Sequence, residues 1–387
     1  MCFMLGKLYR LTIVPVLALF AQALLCAPFA LAENGVTNTE ILIGQTTALT
    51  GPLAELGQDS SASAKAYFDY INEQGGVHGR KIRLLTLDDG YDTAKGVANA
   101  RQLIEKDKVF ALFNVISTPT NTALLPIITA AGIPNIAPYT GAEALRHPFN
   151  RLLFHVRASY YDEVAKIIEH LGIRGIDKVG VVYQNNGFGK AGLAAVEKAL
   201  ALRKLKTHAA ASIETDALDA DGAAQALAKS RPQAIVMITA GKPSAEFIKA
   251  YNRLATGMQF FTISVMGSQA SVKALGKDGA GVVVSQVGPF PFSATSGIVR
   301  EYQKIMAKMG IKNLSFSSME GFIDAKVTVE GLRRAGRNLT RESFIAAMET
   351  MNDVDLDGYM IRFSKDNHEG SRFVDLTVIA RDGRFLR

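Results

Sequence analysis

Cysteine is almost absent from this 387-residue chain: its two cysteines, Cys2 and Cys26, both fall within the first 32 positions. From residue 33 onward a disulfide framework, a cysteine zinc site and a cysteine nucleophile are therefore excluded. An oxidising compartment tolerates such a chain if its core is large enough to stand unaided. Basic residues are scattered, with no run of five or six, which reads as solvated surface rather than a nucleic-acid footprint. The six histidines (His78, His147, His155, His170, His208 and His368) are dispersed and form no H-E-x-x-H, and no G-x-S-x-G nucleophile elbow occurs. After residue 32 no stretch resembles a transmembrane helix, and no low-complexity linker divides the chain.

The first 32 residues fit a secretory signal peptide. Lys7 and Arg10 give a basic start, Leu11 to Leu25 an apolar run, and Ala30-Leu31-Ala32 an A-x-A cleavage site. About 15 apolar residues fall short of the ~20 that a permanent membrane anchor needs. A lipoprotein signal is disfavoured because Leu25, not a small residue, precedes Cys26. Cleavage after Ala32 and export to the periplasm are expected. The remaining 355 residues exceed the size at which a single core stops growing, about 250–300 residues, so two lobes are expected. Removing Lys7 and Arg10 from the formal +7 leaves +5.

Strand-like and helix-like segments then alternate. Ile41–Gly44, Lys81–Leu87 and Val109–Val115 read as strands, separated by helical spacing over Ser60–Asn72 and Thr93–Lys106. A helix over Thr120–Ala131 and a turn at Gly132-Ile133-Pro134 lead into a fourth strand. The pattern restarts with helices at 160–171, 189–202, 220–229 and 244–254 and strands at 178–183, 207–213 and 234–239. Strand, crossover helix, strand implies an α/β fold of two doubly wound parallel-sheet units, roughly 36–156 and 157–286. Helices at 296–309 and 317–335, a hairpin and a last strand at 374–380 follow.

Three patterns could carry chemistry. Gly187-Phe188-Gly189-Lys190-Ala191-Gly192 is a complete G-x-G-x-x-G, with Glu214 22 residues beyond it, as in dinucleotide sites. However, Gln184-Asn185-Asn186 separate it from the strand, and an exported compartment is poor in nicotinamide cofactors. A strand-to-helix turn lining a cleft is the simpler reading. Asp88, Asp89 and Asp92 lack the ligand spacing of a cation loop and read as strand-end and helix-cap aspartates; no metal or cofactor is expected. Ile116-Ser117-Thr118-Pro119-Thr120-Asn121 and Tyr139-Thr140-Gly141 follow the third and fourth strands. Beyond the carboxyl ends of parallel strands, helix N–H groups attract an anion such as a carboxylate. Ser and Thr are also ordinary helix caps, and it is their joint placement that makes these loops a candidate site.

The chain resembles the type I periplasmic binding proteins, in particular the branched-chain amino acid (Leu/Ile/Val) solute-binding proteins of ABC importers. The resemblance is carried by Ile43-Gly44, Thr50-Gly51-Pro52, Gly57, the run from Asn72 to Lys81 with Gly75-Gly76-Val77-His78-Gly79-Arg80-Lys81, and Leu87-Asp88-Asp89. It continues through Ser117-Thr118, Ala130 to Pro134, Gly187 to Gly192 and Glu320-Gly321-Phe322, and so spans the whole exported chain. It implies a flytrap of two lobes joined by three hinge crossings, with 33–156 plus 288–369 as lobe 1 and 157–287 plus 370–387 as lobe 2. It also implies Ser117, Thr118, Tyr139, Thr140 and Gly141 around a ligand carboxylate, Leu56 and Phe188 as walls, and Gly241, Lys242 and Ser264 from the second lobe. The family's amino-acid binders hold the ammonium with an acid in the second lobe, but Phe260 to Val265 contains none. An amide or organic acid is then an alternative ligand, and Lys242 would favour an acid. The function implied is delivery of a small carboxylate-bearing ligand to a membrane ABC permease by a monomer that performs no catalysis. Two alternatives are a ligand-sensing subunit of a membrane receptor and a secreted nucleotide-dependent enzyme.

Overall fold

The computed structural model describes residues 33–387, so the signal peptide expected over 1–32 lies outside the described residues. The chain opens with β1 (Glu40–Thr47), α1 (Ala54–Glu73), β2 (Lys81–Asp88), α2 (Thr93–Arg101), β3 (Ala111–Phe113), α3 (Thr118–Ala131), β4 (Asn135–Ile136) and β5 (Leu153–Phe154). The five strands form one parallel sheet in the order β2-β1-β3-β4-β5. After α4 (Tyr160–Ile173) a second sheet is built from β6 (Val179–Gln184), β7 (Ala209–Ile213), β8 (Ala234–Ile238), β9 (Gln259–Thr262) and β10 (Val283–Gln286). Its crossover helices are α5 (Gly187–Leu202), α6 (Ala220–Ser230), α7 (Lys242–Leu254) and α8 (Gln269–Leu275). The chain then returns to the first sheet's helical layer through α9 (Gly297–Lys308), α10 (Phe316–Ala335) and α11 (Arg341–Met348). A small hairpin, β11 (Val354–Asp355) and β12 (Met360–Ile361), follows. Finally β13 (Asp375–Ile379) and β14 (Phe385–Leu386) add an antiparallel edge to the second sheet. The chain thus passes between the two halves three times.

Residue alternation explains how each sheet is covered on both faces. In β1, Ile41 and Ile43 join a core with Tyr67 and Phe68 of α1 and Phe322 of α10, whereas Leu42 points to Leu103, Leu124 and Ile128 on the other face. The helical period predicted for α1 holds, since Ala64, Tyr67, Phe68 and Ile71 are all buried. Each buried Leu or Phe side chain contributes roughly 1.5–3 kcal/mol of transfer free energy. The α1–α10 contact is unusually close because Gly321 has no side chain; a Cβ there would fall 2.2 Å from the Ser60 carbonyl oxygen.

Four helices begin two or more residues earlier than their apolar spacing indicates. Helix α1 starts at Ala54 rather than Ser60, α3 at Thr118 rather than Thr120, α5 at Gly187 rather than Gly189, and α7 at Lys242 rather than Ser244. The added residues include Gly57, Pro119, Gly187 and Pro243, residue types that read as helix breakers. Proline is nevertheless compatible with a first helical turn, where its missing N–H would have no partner, and Gly57 is required because a Cβ there would meet the Ala48 carbonyl oxygen at 2.1 Å.

The parallel strands of the second sheet run β7-β6-β8-β9-β10, the same order as β2-β1-β3-β4-β5. In each sheet the strand order reverses once, between β1 and β3 and between β6 and β8. Beyond the carboxyl ends of the strands at such a point lies a crevice where α/β proteins bind ligands.

Candidate functional site

The carboxyl ends of the two sheets meet around a narrow, nearly filled cavity. Leu53 and Leu56 at the start of α1, Tyr91 after β2, Ile116, Ser117 and Thr118 after β3, and Tyr139 after β4 supply one side. Tyr160, Phe188, Ala240 and Val265 supply the other. Ser117 caps α3: its hydroxyl oxygen accepts from the Thr120 N–H at 3.2 Å and from Thr120 Oγ1 at 3.1 Å. Its φ of 94° is a left-handed value, a strained backbone held at the cavity wall. Thr118 Oγ1 lies 2.7 Å from Thr140 Oγ1 and 3.5 Å from the Tyr160 hydroxyl. The Tyr160 ring packs edge-on against Phe188, with centroids 5.5 Å apart.

Five of the ten residues singled out from sequence therefore line the cavity: Leu56, Ser117, Thr118, Tyr139 and Phe188. Thr140 stands one bond behind, on Thr118, and the Gly141 carbonyl accepts the Tyr160 N–H at 2.8 Å. A Cβ on Gly141 would fall 2.5 Å from that nitrogen, so the glycine lets Tyr160 approach. Gly241 and Lys242 lie in a wider mouth with Leu56, Glu55 and Ser268. Gly241 meets the other lip, and a Cβ there would come 3.0 Å from the Pro52 carbonyl oxygen. Lys242 is exposed. Ser264 does not line the cavity. It is buried and hydrogen-bonded to Glu163, through its N–H at 2.8 Å and its hydroxyl at 3.0 Å.

That contact exposes the main omission of the sequence reading. An acid does stand next to Ser264, but it comes from α4 rather than from the Phe260–Val265 segment. Glu163 is fully buried and also accepts from Ser285 Oγ at 2.6 Å. Arg157 joins it at 3.1 Å and reaches Glu320 of α10 at 3.3 Å, all three side chains being nearly or fully buried. The guanidinium lies 4.9 Å from the Tyr139 ring centroid, behind the cavity wall. Burial pushes the Glu163 carboxyl above its usual range, while Arg157, Ser285 and Ser264 pull the other way. Glu320 is likewise raised by burial against the pull of Arg157 and Tyr139. Burial opposes the charge on Arg157, but Glu320 and Glu163 outweigh it and raise its pKa. A sequence signal was present: Glu163 occupies the apolar stripe of α4, between Tyr160 and Val164, Ile167, Ile168 and Leu171.

The other patterns have structural roles. In the glycine run, a Cβ on Gly189 would lie 1.9 Å from the Gln184 carbonyl oxygen and one on Gly192 2.2 Å from Ile238, while Gly187 faces Pro119 of the opposite lobe. These glycines permit close helix–strand packing. Asp92 caps α2 by accepting from the Lys95 N–H at 2.8 Å. Asp88 accepts from the Leu49, Thr50 and Gly90 N–H groups. Among the described residues no group of three or more His, Cys, Asp or Glu side chains could hold a metal ion, and no helix is long and apolar enough to cross a membrane.

Two sheets of matching topology, joined by three crossings and enclosing an uncharged, hydroxyl-edged cavity, define a two-lobed ligand-binding protein. The sequence profile described as periplasmic binding protein matches residues 40–384, and the chain belongs to that family. It is 21% identical over 369 residues to "Leu/Ile/Val-binding protein homolog 8" of Brucella abortus (strain 2308), covering 90% of each chain. Among solved structures, a substrate-binding periplasmic protein from Ralstonia solanacearum is 30% identical with a TM-score of 0.83, over 90% of this chain and 99% of that one. A fatty acid ABC transporter substrate-binding protein from Thermomonospora curvata has the same fold at 22% identity and a TM-score of 0.81, over 91% of each chain.

Proposed function

We propose that this chain is a periplasmic solute-binding protein that captures a small carboxylate-bearing ligand between its lobes and delivers it to a membrane ABC permease. The observation that carries this reading is the cavity itself. On one wall Ser117 and Thr118 open helix α3, whose Thr118 N–H and dipole favour an anion; on the other, Phe188 and Val265 offer an apolar face. A ligand touching both walls binds the closed arrangement better than an open one and shifts the population by no more than that difference in affinity. The permease then reads surfaces that only the closed form brings together. The packing role of Gly189 and Gly192 removes the main support for a nucleotide-dependent enzyme.

A thermal-shift screen of organic acids, α-amino acids, their amides, NAD and ATP tests the reading. A ligand at 100 times its Kd stabilises the folded state by about 2.7 kcal/mol. The proposal requires at least one carboxylate to raise the Tm and the nucleotides to leave it unchanged; a shift from nucleotides alone contradicts it.

A further inference from the structure

Resting on the proposed function, the structure narrows the class of ligand for the same cleft. We propose that the ligand is a carboxylic acid with an apolar or aromatic body and no α-ammonium group. None of the side chains lining the cavity is a carboxylate, and its polar side chains are Ser117, Thr118, Tyr91 and Tyr160, the Tyr139 hydroxyl being bonded to Ser317 and Glu320 behind the wall. Hydroxyls and the α3 N-terminus can donate to an anion. Nothing in the lining offers a counter-charge to a cation, and an ammonium stripped of water without one is strongly disfavoured.

The carboxylates behind the wall are already occupied. Glu163 takes donors from Arg157, from Ser285 and from both the N–H and hydroxyl of Ser264. Glu320 is held by the other arm of the same guanidinium. Arg157 thus fills, from within the protein, the cationic place beside these acids. At the mouth, Glu55 accepts from the Ala270 N–H of the opposite lobe and is engaged in holding the lips together. The walls that remain, Leu53, Leu56, Ile116, Phe188 and Val265, suit a hydrocarbon chain or ring.

The test is calorimetric titration at pH 7 with matched pairs that differ only in the α-amino group: 4-methylpentanoate against L-leucine, 3-phenylpropanoate against L-phenylalanine, and further aliphatic and aromatic pairs of increasing length. In every pair with measurable binding, the acid lacking the amino group is expected to bind at least tenfold more tightly. An α-amino acid that binds as tightly as its partner, or more so, overturns this inference and leaves the proposed function standing. If no member of any pair binds, the carboxylate reading falls and this inference with it.

Discussion

Arg157 and Glu163 form an ion pair at 3.1 Å with side chains 2% and 0% exposed, at the point where the chain leaves the first sheet for the second. Because Arg157 also reaches Glu320 of α10, one guanidinium ties helices from both halves to the segment that joins them.

Removing that cation strands two buried acids. Arg157→Met is expected to destabilise the protein by about 3–5 kcal/mol, the usual cost of leaving one side of a buried pair unpaired. Urea denaturation measures it, and a double-mutant cycle with Glu163→Gln should show that the two losses are not additive. A loss below about 1 kcal/mol for Arg157→Met would mean that the pair does not constrain the junction.

In the proposed site Thr118 acts on the ligand. Thr118→Ala should weaken binding of a carboxylate ligand by about 1–2 kcal/mol, between the values of a neutral hydrogen bond and one to a charged group. Calorimetry with the wild type and the variant decides it; equal affinities would remove Thr118 from the site.

The glycine turn of α5 predicts a graded response. Gly189→Ala places a Cβ 1.9 Å from a backbone oxygen and should cost on the order of 1–3 kcal/mol. Gly187→Ala meets Pro119 Cγ at an ordinary 3.4 Å and should leave stability close to wild type. Thermal or urea unfolding of the two variants side by side checks the order, and the reverse order would contradict the packing role.

Part of the acid sensitivity should trace to His368, beside the fully buried His155, whose pKa burial also lowers. Its ring stacks on Phe154 with centroids 3.9 Å apart, and burial lowers its pKa from 6.5 to about 4. Between those values the unfolded chain takes up a proton that the folded protein refuses, so stability is full above pH 6.5 and declines as the pH falls toward 4. The loss should be on the order of 3 kcal/mol. His368→Phe keeps the stacking without the titration, so its stability should fall less over the same window. Parallel losses in the two proteins would assign the acid sensitivity elsewhere.

Most of the fold was legible because periodicity records burial: α1 and the β1 alternation follow directly from the positions of apolar side chains. The first turns of four helices were not legible, since Gly57, Pro119, Gly187 and Pro243 carry local signals opposite to the structure they adopt. The short strands β5, β9, β10 and β14 were missed because two to four residues carry too little pattern. At the site, hydroxyls placed beyond strand ends pointed to Ser117, Thr118 and Tyr139. The Arg157–Glu163–Glu320 cluster was not anticipated, because its members come from three separate segments that only the fold brings together.

Ligand-driven closure of the cleft is the central claim, and the distance between its lips tests it most directly. With no cysteine after Cys26, spin labels can be placed through Gln58→Cys and Lys249→Cys, on opposite sides of the mouth, and their separation followed by pulsed electron resonance. A carboxylate that raises the Tm should convert a broad, longer distribution into a single shorter one, at a concentration that matches its calorimetric Kd. A distribution unchanged by saturating ligand would contradict the account.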